Sequence, residues 1–358
     1  MTPSAEAPLQ GRAAPRIAVD AMGGDFGPQV VVPGAVEAAR GQDLNLVLVG
    51  DVRRIETELE KLDTSGLAIE VVNASQVAEM GDKPSEVVRR KKDSSIVVAS
   101  RLVKDGAADG VVSAGNTGAT MACGVFVIGR IKGVDRPCLA SIMPTEQNPM
   151  ILTDVGANPD AKAHHLFQFA MLSDALAHTV LGYERPRVGL LSIGEEEGKG
   201  NVQVREAFNM LRSSTLDFVG NVEGRAIFRG GTDIVVCDGF VGNVCLKLSE
   251  GLASSFGRLL KRELTSDFFA KVGTMFSIGA LRRFKRLVDY AEYGGAPMLG
   301  LTGSVIVCHG ASNEKAMKNA VDMAATSVRN NTSALMAQRL SENCDLTRYS
   351  RRQAGDCA

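Results

Sequence analysis

Short apolar runs alternate with amphipathic stretches along most of the chain, and nearly every run ends in glycine with a carboxylate, amide or hydroxyl beside it. Residues 17–20 read as a buried strand that breaks at Ala21-Met22-Gly23-Gly24-Asp25 and yields to a helical pattern over 30–40. Residues 46–49, a helix over 52–62 and residues 68–72 continue the strand-helix-strand rhythm of a parallel sheet, whose doubly covered strands read as unbroken apolar runs. Further strands are expected at 109–113, 151–154, 187–191, 232–237 and 304–308, and helices at 96–104, 117–130, 164–181 and 313–339. Gly294-Gly295-Ala296-Pro297 reads as a rigid turn. Residues 264–288 read as two short amphipathic helices, because the apolar face carrying Phe268, Phe269, Val272, Met275 and Phe276 is out of phase with that of Leu281, Phe284, Leu287 and Val288. A bend is expected at Ser277-Ile278-Gly279-Ala280. The pattern predicts an α/β fold with a mostly parallel sheet over 16–340, two lobes flanking a cleft, an N-terminal arm over 1–15 without order and a polar tail over 341–358.

Composition narrows the class. The 358 residues are long enough for a large core, and 40 basic against 41 acidic residues leave a formal charge of -1, so no global field recruits nucleic acid. The seven cysteines form no CxxC pair and mostly sit in apolar runs, as in a reduced, cytoplasmic protein. Residues 1–15 lack the apolar core of a signal peptide, and the longest apolar run, 121–129, is far too short to span a bilayer.

Chemistry concentrates at the strand ends. Ser113-Ala114-Gly115-Asn116-Thr117-Gly118 joins a strand to a helix, and Gly115 and Gly118 let backbone N–H groups approach an anion at the positive end of the helix dipole. Ser113, Asn116 and Thr117 add polar groups, although the same residue types cap helices and fill turns with no ligand present. Asp20 with Gly23 and Gly24, Asp154 with Asn158, and Asp238 with Asn243 repeat the design, placing polar groups where open α/β sheets keep their ligands. No strand is followed by GxGxxG, which argues against a dinucleotide, and Gly194-Glu195-Glu196-Glu197-Gly198-Lys199-Gly200 lacks the spacing and the Ser or Thr of a P-loop. Lys199 could meet a single phosphate or simply be solvated. His309, at a strand end, is a candidate general base or a hydrogen-bonded structural residue. The four histidines show no metal-ligand spacing, so His164, His165 and His178 read as structural. Lys83 and the run Arg89-Arg90-Lys91-Lys92 form either a solvated helix face or a docking patch for an acidic partner.

Taken together, VDAMGGD at 19–25, DKPSEVVRRKKDSS at 82–95, SAGNTGA at 113–119, DVGAN at 154–158, LLSIGEEEGKGN at 190–201, DGFVGNV at 238–244 and GGAPMLG at 294–300 make the chain resemble the bacterial phosphate acyltransferases. The resemblance spans residues 17 to about 339. It implies a Rossmann-like α/β/α fold similar to phosphotransacetylases and the isocitrate dehydrogenase superfamily, a homodimer, and transfer of a fatty acyl group from acyl carrier protein to inorganic phosphate for phospholipid synthesis, with neither metal nor cofactor. Phosphate attacking a thioester needs an anion cradle and a donor for the carbonyl oxyanion. On this reading Ser113, Gly115, Asn116, Thr117 and Gly118 serve the phosphate or thioester end, Asp20, Gly23, Gly24, Asp154 and Asn158 line the substrate, and Asp238 and Asn243 act from across the cleft. His309 and Lys199 assist proton transfer and charge stabilisation, while Lys83 and Arg89 to Lys92 dock the carrier. Phe268, Phe269, Val272, Phe276, Arg282 and Arg283 are expected to touch the inner face of the cell membrane, from which the product would reach a membrane glycerol-3-phosphate acyltransferase. A coenzyme-A-dependent acyltransferase and a non-catalytic membrane-associated scaffold are the competing readings.

Overall fold

In the computed structural model, residues 14–288, 290–343 and 345–346 are described. Most of the expected N-terminal arm and polar tail therefore lies outside the described residues, while helix Thr332–Glu342 reaches into the expected tail. Eleven strands form one continuous sheet: β1 (Arg16–Asp20), β2 (Asn45–Gly50), β3 (Ile69–Asn73), β4 (Gly110–Ser113), β5 (Cys138–Met143), β6 (Met150–Thr153), β7 (Arg187–Ser192), β8 (Asp217–Glu223), β9 (Ile234–Val236), β10 (Ala296–Leu299) and β11 (Ser304–Val307), in the order β3-β2-β1-β4-β11-β10-β5-β6-β9-β7-β8. The central strands are sealed on both faces. Ile17, Val19, Leu48 and Val112 pack with the helices Pro28–Gly41, Ala163–Leu181 and Glu314–Arg329. Ala18, Val47, Val111 and Leu152 pack with Ser95–Lys104 and Thr117–Cys123 on the other face.

Strand direction reverses in the middle of the sheet. β3, β2, β1, β4 and β11 are mutually parallel; β10 is antiparallel to β11, β5 is antiparallel to β10, and β6 is antiparallel to β5. β6, β9, β7 and β8 are again parallel to one another. Three such reversals leave the second parallel set antiparallel to the first in the ladder.

Several local expectations change. β5 and β8 have no counterpart in the expected strands, and the rigid turn at 294–297 runs directly into β10, with Ala296 paired to Val307. The helix expected over 313–339 is two, Glu314–Arg329 and Thr332–Glu342, parted at Asn331 with φ 53, a left-handed conformation that asparagine tolerates better than most residues. Helix Thr117–Cys123 continues as a π-helix, Gly124–Ile128. The two short helices expected over 264–288 are replaced by one, Phe268–Val288, with no bend at 277–280; a single glycine costs a helix only about 1 kcal/mol relative to alanine, too little to stop it without a proline.

Helix Phe268–Val288 is the return leg of an arm whose outgoing leg is the helix Gly239–Leu264. The outgoing leg starts beside the ends of β6 and β9. The return leg delivers the chain to Gly295, where a Cβ would lie 2.8 Å from Ile306 Cγ2 and 3.0 Å from Cys308 Sγ, next to the end of β4.

Candidate active site

Four loops converge at the carboxyl ends of β1, β4 and β11. After β1 the chain folds back so closely that a Cβ on Gly23 would fall 2.7 Å from Gly115 N, and one on Gly24 3.1 Å from Gly310 O. The Asp25 N–H donates to Gly310 O at 2.8 Å. The fourth loop, around 79–84, is held by Asn116: its Nδ2 donates to the carbonyls of Glu79, Met80 and Asp82, each at 3.0 Å, while its Oδ1 caps the following helix by accepting from Ala119 N–H at 2.9 Å. That side chain, expected to be catalytic, is 8% exposed and fully spent on structure. Its contribution to a ligand is its backbone. Among the described residues the N–H groups of Asn116, Thr117 and Gly118 donate to no partner, and the Thr117 side chain is exposed. Gly118 has to be small for a separate reason: Pro84 Cγ would lie 2.6 Å from a Cβ there, because helix Pro84–Arg90 leans against the turn.

Asp20, expected to line the substrate, is 3% exposed and sits behind this turn. Its Oδ2 accepts the Ser113 hydroxyl at 2.7 Å, and Ser113 Oγ in turn accepts the Gly115 N–H at 3.1 Å. Burial pushes the Asp20 carboxyl above the usual range, against the pull of the Ser95 and Ser113 hydroxyls and the Met22 and Gly23 amides.

His309 stands exposed at the mouth, and its Nδ1 accepts the Ala311 N–H at 3.1 Å. A neutral imidazole with Nδ1 accepting carries its proton on Nε2, so the ring presents a hydrogen-bond donor rather than a base to a ligand. Beside it, burial pushes the Cys308 thiol up to about 12, and Cys123 likewise to about 12, while Cys138 and Cys237 are raised well above their ordinary value. None of these four offers a thiolate nucleophile.

The basic run is divided by the structure. Lys91 is committed to Asp82 at 2.6 Å and to the Val77 carbonyl at 3.0 Å. Arg89 and Arg90 remain exposed on the helix that carries Pro84 against Gly118, and Lys83 and Lys92 remain exposed just outside its two ends.

The second cluster, at the ends of β6 and β9, is mainly a structural bracket. The Asp154 carboxylate accepts the N–H groups of Leu139, Gly156, Ala157 and Asn158 as well as Asn158 Nδ2; burial raises its pKa while these donors pull it back. Asn158 Nδ2 also donates to the Pro137 carbonyl at 2.8 Å. Asp238 Oδ1 caps helix Gly239–Leu264 by accepting from Phe240 and Val241 N–H at 3.0 and 2.9 Å. Asn243 is exposed beside Gly156, and Lys199 is exposed in a loop with three glutamates. Asp154, Asn158 and Asp238 thus have few polar atoms left for a substrate.

Folding also makes one constellation that sequence spacing did not reveal. Candidate ligand atoms of Asp135, His164 and His165 lie within 4.8 Å of one another. The set does not fit a metal. His165 Nδ1 accepts the Lys162 N–H at 3.0 Å, so ligation through Nε2 would need a proton on Nδ1 facing another N–H. Burial, with His164 and Arg136 nearby, holds the His165 pKa down to about 4.

Residues 15–335 match the protein family described as "Fatty acid synthesis protein". The chain is 60% identical to the phosphate acyltransferase of Nitratidesulfovibrio vulgaris strain DP4 over 334 residues, covering 93% of this chain and 97% of that one. It is 55% identical to the phosphate acyltransferase of Lawsonia intracellularis, covering 93% and 96%. The chain belongs to the phosphate acyltransferase family. It is therefore an acyltransferase, and the scaffold reading falls. Among solved structures, a phosphotransacetylase from Streptococcus pyogenes matches with a TM-score of 0.62 at 19% identity, covering 88% of this chain and 94% of that one. The EutD phosphotransacetylase from Staphylococcus aureus matches with a TM-score of 0.60 at 18% identity over the same shares. The chain therefore shares the phosphotransacetylase fold.

Proposed function

We propose that the protein moves a fatty acyl group from the thioester of an acyl carrier protein to inorganic phosphate, giving acyl-phosphate and the free carrier thiol. The observation that carries this reading is the row of unpartnered amides at Asn116, Thr117 and Gly118, closed in by glycine loops and faced by no carboxylate in hydrogen-bond contact with them. A phosphate oxygen attacks the thioester carbon, the carbonyl oxygen takes up the developing charge, and the thiolate leaves. Thr117 Oγ1 and the amides hold the acceptor, and His309 Nε2–H donates to the oxyanion. The raised thiol pKa values favour direct transfer over an acyl-cysteine intermediate.

The test is chemical: carrier-bound acyl thioester, phosphate and enzyme should yield hydroxylamine-trappable acyl-phosphate with release of carrier thiol. Turnover with acyl-coenzyme A but not with the carrier would transfer the reading to the coenzyme-A alternative.

Lys83, Arg89, Arg90 and Lys92 form the docking face for the acidic carrier, close to the turn through Pro84. Reversing Arg89 and Lys92 to glutamate is expected to lower kcat/KM for the carrier-bound donor about tenfold or more at low salt and to flatten its salt dependence. An unchanged salt profile would show that the run is only a solvated face.

The arm supplies the other surfaces. On its outgoing leg Phe240, Val244, Leu248, Leu252 and Phe256 form an exposed stripe four residues apart, which we assign to the second copy of a homodimer. On the return leg Phe269 and Phe276 are 83% and 87% exposed, with Phe268, Val272, Arg282 and Arg283 also exposed. Among the described residues no helix is long and apolar enough to cross a membrane. An exposed apolar face with arginines suits reversible contact with an anionic leaflet from the cytoplasmic side, each cation near the surface contributing about 1 kcal/mol. Phosphatidylglycerol vesicles should carry the parent upward in a density gradient, and the Phe269→Glu, Phe276→Glu double variant should stay at the bottom with its oligomeric state intact. Equal flotation of both would remove the membrane from this scheme and leave acyl-phosphate delivery to a membrane glycerol-3-phosphate acyltransferase without its docking step.

A further inference from the structure

The anion turn is not held by its own backbone alone. Behind it lies a relay of three groups on two different strands: Asp20 at the end of β1, Ser113 at the end of β4, and the Gly115 amide. Asp20 and Ser113 are 3% and 0% exposed, so both are buried. The polarity of the relay is fixed by its last member. Gly115 N–H can only donate, so Ser113 Oγ accepts there at 3.1 Å, and its single proton is left for Asp20 Oδ2 at 2.7 Å. The hydroxyl rotor is therefore locked by a carboxylate oxygen, a charge-assisted bond roughly twice as strong as a neutral one. Gly23 presses on the front of the same turn, with a Cβ there falling 2.8 Å from Asp20 Oδ2 and 2.7 Å from Gly115 N. The turn is thus gripped between a buried acceptor and a glycine backbone.

We propose that Asp20 is a positioning residue for the acceptor phosphate, acting through Ser113 and the Gly115 amide to aim the next three amides, Asn116 to Gly118, at the anion. The inference rests on the reading of that turn as the phosphate site. On this assignment Asp20 does not touch substrate, because it is buried and its carboxylate would repel a phosphate placed against it. Its effect is on phosphate binding, while the acyl donor is bound by other surfaces.

The test compares Asp20→Ala, Asp20→Asn and Ser113→Ala with the parent in steady-state kinetics, varying phosphate and donor separately, and in calorimetric titration with inorganic phosphate alone. Asp20→Ala and Ser113→Ala should each weaken phosphate binding and raise the phosphate KM about tenfold, with the donor KM within about twofold of the parent. Asp20→Asn keeps an acceptor oxygen for the Ser113 hydroxyl and removes a buried charge, so it should restore phosphate affinity to within about threefold of the parent and melt no lower than it. A structural role would lower the melting temperature and move both KM values together. If Asp20→Ala fails to fold, Ser113→Ala and Asp20→Asn still read the relay. The proposal is overturned if phosphate affinity is unchanged in Ser113→Ala, or if Asp20→Asn loses as much phosphate affinity as Ser113→Ala. A parent that titrates with phosphate but makes no acyl-phosphate from the carrier thioester would sink the proposed reaction and leave the relay measurable.

Discussion

Gly23→Ala is expected to lower kcat/KM for phosphate by about two orders of magnitude, the loss typical of a displacement near 1 Å in a preorganised site. The added Cβ would lie 2.7 Å from Gly115 N, 3.1 Å from Gly115 Cα and 2.8 Å from Asp20 Oδ2. No flexible side-chain end is there to yield. Two of the three atoms are backbone of the anion turn, and the third belongs to the carboxylate that holds the turn through Ser113. The turn itself must move, and its amides move with it. Overpacking of this kind costs about 1–3 kcal/mol, which a domain of this size survives folded, so the loss should appear in phosphate kinetics well before it appears in circular dichroism. Gly41→Ala, with nothing within 4 Å of its Cβ, is the matched control and should leave phosphate kinetics unchanged. Equal kinetics for Gly23→Ala and the parent would mean that the turn is not the acceptor site.

The largest stability loss is expected at Gly242. A Cβ at that position would sit 1.9 Å from the Asp154 carbonyl oxygen and 2.9 Å from Cys237 Sγ, so the first turn of helix Gly239–Leu264 can approach the end of β6 only through a glycine. Relief requires the helix to lift away, which breaks the Asp238 cap on Phe240 and Val241 and uncovers Cys237. Adding a cap loss of about 1 kcal/mol to the overpacking gives roughly 3 kcal/mol or more. Gly242→Ala should therefore lower the denaturation midpoint clearly. Gly257→Ala in the same helix meets nothing within 4 Å and should gain up to about 1 kcal/mol from helix propensity alone. The reverse order of the two midpoints would show that the arm does not pack at its root as described.

Legibility in the sequence followed the range of the interactions. Strands such as β1, β2 and β4 are buried on both faces, so each writes an apolar run into the chain, and helix Ala163–Leu181 is equally plain. β8 is partly exposed and broken by Gly220 with φ 100, so no apolar run announces it. β10 was hidden by the Gly-Gly and Pro that surround its start. Proline is tolerated there because only part of the strand pairs on each side, Ala296 and Pro297 with β11, Met298 and Leu299 with β5. In the arm, a phase change between Met275 and Leu281 was read as a bend, but a helix exposed on most of its surface has no core to demand a single apolar phase.

The candidate site divides along the same line. The strand-turn-helix units, the glycines that bring backbones together, and the small polar residues of the turn at 113–118 are legible in the chain, because propensity, apolar periodicity and turn chemistry act over a few residues. Which polar atoms remain for chemistry depends on long-range packing. Asn116 loses its side chain to three carbonyls 34 to 37 residues away, and Ser113 is held by a carboxylate 93 residues away. His309 becomes a donor through one bond to Ala311, and the Asp154 carboxylate is taken up by the amides of Leu139, Gly156, Ala157 and Asn158. A hydrogen-bonding group offers a ligand only what the fold has not already used, and that balance depends on contacts between segments distant in the chain.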